Sequence, residues 1–153
     1  MRPECITITI LRGSKRASPE KNAPMRKSYF KIKNMTRGKL PSLPFKRIKE
    51  EVVGVNYEVS LVCIGTDRSR HLNKKYRNKD APANILTFPL DTSLGEIFIT
   101  PPEAKKDAPK FGRSYKQFLA DLFIHGLFHL KGDTHSSSMK IHEARVRRKF
   151  HLE

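Results

Sequence analysis

The chain has few of the residues that build disulfide-bonded, zinc-ribbon or membrane-spanning proteins. Its two cysteines, Cys5 and Cys63, lie far apart, which excludes a disulfide framework or a cysteine-based ribbon and favours a reducing compartment. No apolar run approaches the roughly 20 residues of a membrane span. The N-terminal run CITITIL is short and is followed by basic residues, unlike the apolar region of a signal peptide. We therefore expect a cytoplasmic protein without a membrane partner.

Acidic residues are scarce as well. The 153 residues include 31 Lys/Arg but only 15 Asp/Glu, which gives a formal net charge of +16. Residues 1–50 carry 14 Lys/Arg and 3 Glu, so much of the surplus lies in the first third. An anionic partner is indicated, most often nucleic acid, although part of the charge could belong to a solvated arm. We predict a basic, partly disordered extension over residues 1–27 and one domain over residues 28–153.

The hydrophobic pattern predicts mixed strands and helices. Alternating apolar residues predict strands in SYFKIKNM, YEVSLVCIG, Ile85–Phe88 and LGEIFIT. Helical spacing predicts helices from Pro44 to Gly54, after Thr66-Asp67, and in the tail MKIHEARVRRKFHLE. In the second of these helices, His71, Leu72 and Tyr76 fall on one face. The segment PPEAKKDAPKFGR has the composition of a polar loop.

The longest predicted helix begins after Ser114 and ends at Gly132. Ser114 and Gln117 have the spacing of a capping box, in which each side chain binds a backbone N–H of the first turn. The residues that follow are apolar nearly all round, so this helix should lie in the core. Gly132 can adopt the left-handed conformation that ends a helix.

Three histidines lie at the end of this helix, in the stretch IHGLFHLKGDTH. His125 and His129 are four residues apart and therefore share a face. The turn at Gly132 could bring His135 back over that face. Each ring could instead be a core histidine that binds a backbone carbonyl, but burying unsatisfied rings costs about 1–3 kcal/mol each. Three protein ligands and an open position are typical of a catalytic zinc site.

The glycine at position 126 argues against one class of metal-dependent enzyme. Metalloproteases with an H-E-x-x-H motif carry a glutamate at this position as general base, and glycine cannot move a proton. Phosphodiester cleavage depends less on such a carboxylate, because a metal can activate water and polarise the phosphoryl oxygens. Glycine also costs about 1 kcal/mol relative to alanine inside a helix. Something should compensate for this cost, and a close approach of substrate or neighbouring backbone at Gly126 is one candidate.

Three blocks of the sequence resemble the YbeY endoribonucleases, bacterial and organellar ribosomal-RNA maturation factors. The stretch from His125 to His135 is similar to their H-G-x-L-H-L-x-G-Y-D-H signature, with Phe128 and Asp133-Thr134 as differences. LNKKYRNKDAPANILTFP resembles their L-N-x-x-Y-R-x-K-D-x-P block, and LGEIFIT resembles their L-G-[DE]-I-x-I-S strand. The blocks keep the family's order, and the resemblance covers roughly residues 29–150.

The resemblance implies a single α+β domain of the zincin-like type, with a small mixed β-sheet packed with helices and the histidine helix in the core. It implies one zinc ion (Zn2+) on His125, His129 and His135, and a catalytic role for Arg77, which matches the arginine of the Y-R-x-K-D block. A guanidinium beside the metal would stabilise extra negative charge at phosphorus.

The implied function is a metal-dependent endoribonuclease that cuts single-stranded RNA. Ribosomal RNA would be its substrate, in 3′-end maturation of the small-subunit RNA and in ribosome quality control, with the ribosome or small-subunit proteins as partners. Two other functions stay open. One is a metallohydrolase of different specificity, such as a peptidase, and the other is a non-catalytic RNA-binding or ribosome-assembly factor with a structural metal.

Other polar residues have two interpretations each. Asp121, one turn before His125, could orient that ring or form an ordinary ion pair, and Asp133 could orient His135 or simply make the turn. Residues that could contact RNA are equally compatible with a solvated face or with core packing. They are Lys74, Lys75 and Lys79, which flank Arg77, and the aromatic residues Tyr76 and Phe88. We expect His142 and His151 of the basic tail to be exposed.

Overall fold

The computed structural model describes residues 6–7 and 30–153. The described residues form strands and helices in mixed order, as the sequence predicts. The strands are β1 (Ile6–Thr7), β2 (Phe30–Asn34), β3 (Glu58–Cys63), β4 (Ile85–Asp91) and β5 (Leu94–Ile99). The α-helices are α1 (Phe45–Val53), α2 (Thr66–Arg77), α3 (Pro101–Asp107), α4 (Tyr115–Lys131) and α5 (Ser137–Lys149), with a short 3-10 helix at Ala108–Phe111.

The strands form one mixed sheet in the order β1-β4-β5-β3-β2. The hairpin β4–β5 is antiparallel, and the other neighbouring pairs are parallel. In β3, alternation buries Val59, Leu61 and Cys63 on one face, as predicted. The expected α+β fold with a small mixed sheet is therefore confirmed.

Helices cover both faces of the sheet. One face carries the main core, in which Ile85 and Ile97 pack against α4 together with residues of α1 and α5. The other face carries a smaller cluster, where Leu72 of α2 packs against Leu86 and Phe88 of β4. The histidine helix α4 thus lies in the core between the sheet and two other helices, as expected.

The ends of α4 follow the predicted chemistry. The Ser114 hydroxyl accepts the backbone N–H of Gln117, and the Gln117 side chain accepts the backbone N–H of Ser114. At the other end Gly132 has a φ of +99°, a conformation that side chains rarely adopt. This residue ends the helix and turns the chain toward His135.

The segment 101–113 is not the polar loop that its composition indicates. It contains α3 and the 3-10 helix, so the loop prediction is wrong here. Proline lacks a backbone N–H, but the first turn of a helix needs none, so Pro101 and Pro102 start α3 instead of preventing it. The first-turn Glu103 also complements the helix dipole. Burial of Pro101, Ala104 and Ala108 gives the segment its inward face.

The helix α2 is present, and Leu72 and Tyr76 of the predicted face pack toward β4, whereas His71 does not. Its N-cap is Gly65 without a side-chain cap bond, not Thr66 or Asp67. His71 is exposed, whereas Ser69 and Asn73 are buried. These two polar side chains bind the backbone of the segment before β4, because Ser69 donates to Ala83 O at 2.8 Å and Asn73 donates to Ala81 O at 2.7 Å. Hydrogen bonds thus place Ser69 and Asn73 on the inward face beside Leu72, and an apolar pattern does not reveal these polar residues.

Two expectations concern regions that the structure describes only in part. The predicted basic extension lies outside the described residues except for β1, where Ile6 and Thr7 pair with Leu86 and Thr87 of β4. None of the helices that the structure describes is long and apolar enough to cross a lipid bilayer.

Candidate metal centre

The three predicted histidines come together at the end of α4. One ligand nitrogen from each of His125, His129 and His135 lies within 4.8 Å of the others. The Nε2 atoms of His125 and His129 are 3.1 Å apart. Two nitrogens that bind one zinc ion at 2.0–2.1 Å with tetrahedral geometry would be about 3.3 Å apart. The predicted convergence is confirmed, and the donor set fits a single divalent cation.

A carboxylate fixes the orientation of the first ring. His125 Nδ1 forms a short hydrogen bond with Glu143 Oε1 from α5. A proton on Nδ1 leaves the lone pair on Nε2, the atom that faces His129. Carboxylates bind the outer nitrogen of metal-ligating histidines in this way, which sets the tautomer and raises the basicity of the ligand. Glu143 is thus a positioning residue of this centre.

The second ring is the most buried. His129 is 7% exposed, and burial, followed by the neighbouring His125 and His135, lowers its pKa from 6.5 to about 4. The ring is therefore neutral at physiological pH, which is the form that a metal ion binds.

The third histidine follows the turn at the end of α4. Asp133 donates its backbone N–H to Phe128 O at 3.0 Å, which closes the turn after Gly132. The Ser136 hydroxyl then accepts the backbone N–H of Met139 and caps α5. His135 therefore lies on a short exposed connection that is tied at both ends to a helix. This connection carries its ring to within 4.6 Å of the His129 ring, measured between centroids.

The histidines lie between two cavities. The first has a volume of about 380 Å³ and lies between α4 and α5, where His125 and His135 line it. The second has a volume of about 430 Å³ and lies beside β4, where Pro89, His129 and His135 line it. We call them the α4–α5 cavity and the β4 cavity. A cation held by the three rings would be reachable from outside, as a catalytic rather than a structural site requires.

Gly126 is explained by packing. A Cβ at this position would lie 2.8 Å from Ile85 Cδ1 and 3.2 Å from Ile97 Cδ1. A close approach is therefore present at Gly126, and the nearest atoms belong to side chains of the sheet instead of to neighbouring backbone. Glycine lets α4 lie close to the sheet at the level of His125.

The contacts of Asp121 decide between its two interpretations. Its carboxylate accepts hydrogen bonds from Arg113 Nε at 2.8 Å and Arg113 Nη2 at 3.2 Å, and Arg147 Nη1 lies 3.8 Å away. Asp121 therefore forms an ion pair, and Glu143 takes the place beside His125. Burial raises the pKa of Asp121, although the hydrogen bonds from Arg113 favour its charged form. Glu143 lies on a different helix from His125, so the spacing of residues along α4 does not predict its contact.

Arg77 lies at the end of α2, on the sheet face opposite α4. It is half-buried, and its Nη1 donates to Asn73 Oδ1 at 3.2 Å. Neither cavity includes Arg77 among the described residues that line it. Its neighbour Tyr76 contacts Phe88 with 5.3 Å between ring centroids, and the next residue, Pro89, lines the β4 cavity. The end of α2 thus reaches the same end of β4 as the histidines, and a catalytic role for Arg77 stays a prediction.

The remaining candidate residues differ in how exposed their side chains are. Phe88 is 3% exposed and belongs to the core, whereas Tyr76 is 38% exposed. The side chains that are exposed, as expected for a solvated face or an RNA contact, are those of Lys74, Lys75, Lys79, His142 and His151.

Comparisons with known proteins identify the family of this chain and agree with its fold. The family profile described as Endoribonuclease YbeY matches residues 25–152. A curated relative of that name from Persephonella marina is 33% identical over 120 residues, which is 69% of this chain and 77% of the relative. One from Acholeplasma laidlawii is 37% identical over 95 residues, 60% of this chain and 66% of the relative.

A third curated relative, from Thermotoga neapolitana, is 35% identical over 89 residues, and the match spans only 58% of each chain. Among solved structures, a Thermotoga maritima protein determined in solution superposes with a TM-score of 0.59 at 27% identity, covering 76% of this chain and 85% of that one. Since the family profile spans both the sheet and the histidine centre, the chain belongs to the Endoribonuclease YbeY family.

Proposed function

We propose that this chain is a zinc-dependent endoribonuclease that cuts single-stranded RNA, with the catalytic domain over residues 28–153. The observation that carries the proposal is the cluster of His125, His129 and His135, which could hold one cation between two open cavities. Its curated relatives are named endoribonucleases. The formal net charge of +16 suits a polyanionic substrate.

The histidines supply the metal chemistry of this proposal. Three neutral imidazoles suit zinc among the divalent ions, although copper, iron and nickel accept the same donors. A bound zinc ion would polarise a phosphoryl oxygen and make a water molecule more acidic. Glu143 keeps the proton on His125 Nδ1, so that the Nε2 lone pair faces the ion.

The remaining groups would act on the RNA itself. Gly126 cannot move a proton, so the chain has no counterpart of the protease glutamate at that position. Arg77 would bind the phosphoryl group and stabilise the negative charge that develops during cleavage. In the cell we assign this activity to the cytoplasm, in maturation of the 3′ end of small-subunit ribosomal RNA and in ribosome quality control, with the ribosome as partner.

Metal analysis of the purified protein, combined with cleavage of an unpaired RNA, tests the proposal. We expect one zinc per chain and endonucleolytic cleavage by the wild type. His129→Ala should lose both metal and activity, whereas the matched control His142→Ala, an exposed histidine of α5, should keep both. Arg77→Ala should keep the metal and lose at least 100-fold in kcat, the usual cost of removing one electrostatic donor. Arg68→Ala serves as control for Arg77→Ala, because Arg68 is an exposed arginine of the same helix.

Each of the two rival functions predicts a different experimental result. Turnover of peptides but not of RNA would replace the proposal with a peptidase. If the wild type bound unpaired RNA without cleaving it, and His129→Ala lost the metal but not RNA binding, the protein would be a non-catalytic RNA-binding factor with a structural metal.

A further inference from the structure

The α4–α5 cavity has features that the metal centre alone does not use. It begins at His125 and His135 and extends between α4, α5 and the 3-10 helix. Its volume of about 380 Å³ lies within the range of pockets that bind small ligands. Any group bound there would be adjacent to a substrate phosphate at the histidines.

The wall of this cavity carries a surplus of positive charge. Arg113, Lys140 and Arg147 line it, against the carboxylates of Asp121 and Glu143. Glu143 is bound to His125, so Asp121 is the carboxylate that faces the two guanidinium groups. Three cationic side chains against two carboxylates leave one net positive charge on the lining, and this surplus favours an anion.

The two arginines differ in how they are held. Arg113 is fixed by Asp121 and by the carbonyl of Leu152, to which its Nη2 donates at 2.8 Å. Arg147 Nη1 lies 3.8 Å from Asp121, which is too long for a hydrogen bond. Asp121 thus keeps Arg147 beside the cavity by charge alone and leaves its donors able to bind a phosphate.

The floor of the cavity is apolar and partly aromatic. Phe111 stacks on the buried Phe118 with 5.1 Å between ring centroids and 15° between the ring planes. Both rings line the cavity together with Met139. Phe111 is only half-buried, so part of its surface remains available. Aromatic and cationic groups in one pocket are typical of sites that bind unpaired nucleotides.

We propose that the α4–α5 cavity is a subsite for the nucleotide next to the cleaved bond of single-stranded RNA. Its base contacts Phe111, and its phosphate binds Arg147 and Lys140. The inference rests on the proposed function, because it takes its substrate class from the histidine centre that borders the cavity. A double-stranded RNA could not place a base there, so the subsite also selects for unpaired substrate.

The phosphate contact is tested by a pair of adjacent substitutions on α5. Arg147→Gln removes the cavity arginine, and Arg148→Gln is the matched control, since Arg148 is outside the cavity and 64% exposed in its side chain. With the metal-loaded full chain and an unpaired RNA, Arg147→Gln should raise KM about tenfold and leave kcat within about twofold. This is the expected result when the lost contact is equally strong in the substrate complex and in the transition state. Arg148→Gln should leave both constants within about twofold of wild type.

A binding measurement separates this inference from the proposed function. Fluorescence anisotropy of a labelled single-stranded RNA gives the dissociation constant whether or not cleavage occurs. Arg147→Gln should make the slope of log K against log salt shallower by about 0.7, the value for one phosphate contact on a single strand. Metal content and melting temperature establish that each variant is folded.

The base contact is tested with Phe111→Leu, which keeps apolar packing but removes the ring. The variant should bind unpaired RNA about fivefold more weakly, within the range of one lost stacking contact. An RNA with an abasic residue next to the cleaved bond should bind the wild type and this variant equally. The same fivefold loss for the variant on the abasic RNA would show that the ring acts only through packing and would overturn the base contact.

The outcomes for the subsite are distinct. Equal dissociation constants and salt slopes for wild type, Arg147→Gln and Arg148→Gln would overturn the subsite, even if the wild type cleaves RNA. Selective weakening by Arg147→Gln in a protein that binds but does not cleave RNA would show that the cavity binds RNA, would refute the endonuclease proposal, and would overturn the assignment of the cavity to a nucleotide next to a cleaved bond.

Discussion

At the scale of single residues, the spacing of residues in the sequence predicts the metal-ligating histidines better than it predicts the side chain that orients them. The spacing of four residues between His125 and His129 places both on one face of α4, so sequence alone predicts their approach. Glu143 is 18 positions from His125 and on another helix, so no local period connects them. Asp121 is at helical spacing from His125, and of its two interpretations the ion pair is the one observed, since it binds Arg113.

The role of Glu143 leads to a prediction about metal affinity. Glu143→Gln should weaken metal binding about 10- to 100-fold, because the amide holds the His125 ring less strongly and no longer raises its basicity. A competition titration with a chromogenic chelator measures the change. Glu153→Gln, at an exposed carboxylate of the C-terminus, should leave the affinity unchanged. Equal affinities for the wild type and Glu143→Gln would show that the hydrogen bond does not support the site.

Burial of His129 leads to a pH prediction for the metal-free protein. Because burial lowers the pKa of His129 from 6.5 to about 4, the folded state binds its proton less readily than the unfolded state does. Stability from this group is complete above pH 6.5 and is lost as the pH falls from 6.5 toward 4. The free energy of unfolding in urea should be about 2 kcal/mol lower at pH 5 than at pH 8.

Two substitutions isolate this effect. His129→Asn should remove most of the pH dependence between 8 and 5, whereas the exposed His142→Asn should preserve it. The expectation would fail if the His129→Asn protein lost as much stability on acidification as the wild type.

At the scale of elements, the sequence predicts helices and strands well where a local signal decides them. The capping box at Ser114, the apolar run of α4 and the stop at Gly132 all lie within α4 and its caps, and all are confirmed. The failures share a cause. The polar composition of residues 101–113 indicates a loop although Pro101 and Pro102 start α3, and Ser69 and Asn73 face inward on α2 because they bind residues 81–83, which periodicity does not report.

The contact between α4 and the sheet gives a prediction at Gly126. Alanine has a helix propensity about 1 kcal/mol more favourable than glycine. Its Cβ would nevertheless lie 2.8 Å from Ile85 Cδ1 in a core where Ile85 and Ile97 are fully buried. Overpacking of this kind costs about 1–3 kcal/mol, so Gly126→Ala should lower the free energy of unfolding by about 1 kcal/mol.

A double-mutant cycle tests the origin of that cost. Ile85→Val removes the Cδ1 atom that the new methyl would meet. In the Ile85→Val background, Gly126→Ala should be neutral or stabilising, as measured by denaturant unfolding. An equal loss in both backgrounds would mean that the contact with Ile85 is not what excludes a side chain at position 126.

At the scale of the whole molecule, the long-range arrangement lies beyond what the pattern predicts. Strand alternation identifies β3 and β5, but not that they pair in parallel with Leu61 opposite Ile97. Sheet order depends on which apolar faces pack together, and that is a property of the assembled core. The α4–α5 cavity arises in the same way, since its Arg113, Asp121 and Arg147 come from separate segments. The family resemblance supplied the fold class that local patterns could not.

Net charge is also a property of the whole chain. Removing the same number of positive charges at two different places tests which of them contacts the RNA. Replacing both Lys74 and Lys75 by Gln, on the exposed side of α2, lowers the net charge from +16 to +14. The same replacement at Lys15 and Arg16, in the predicted extension, lowers it equally. If α2 contacts the RNA, its pair should make the slope of log K against log salt shallower by about 1.4, and the extension pair by much less. Equal shifts for the two pairs would mean that total charge attracts the RNA and that α2 forms no part of its path.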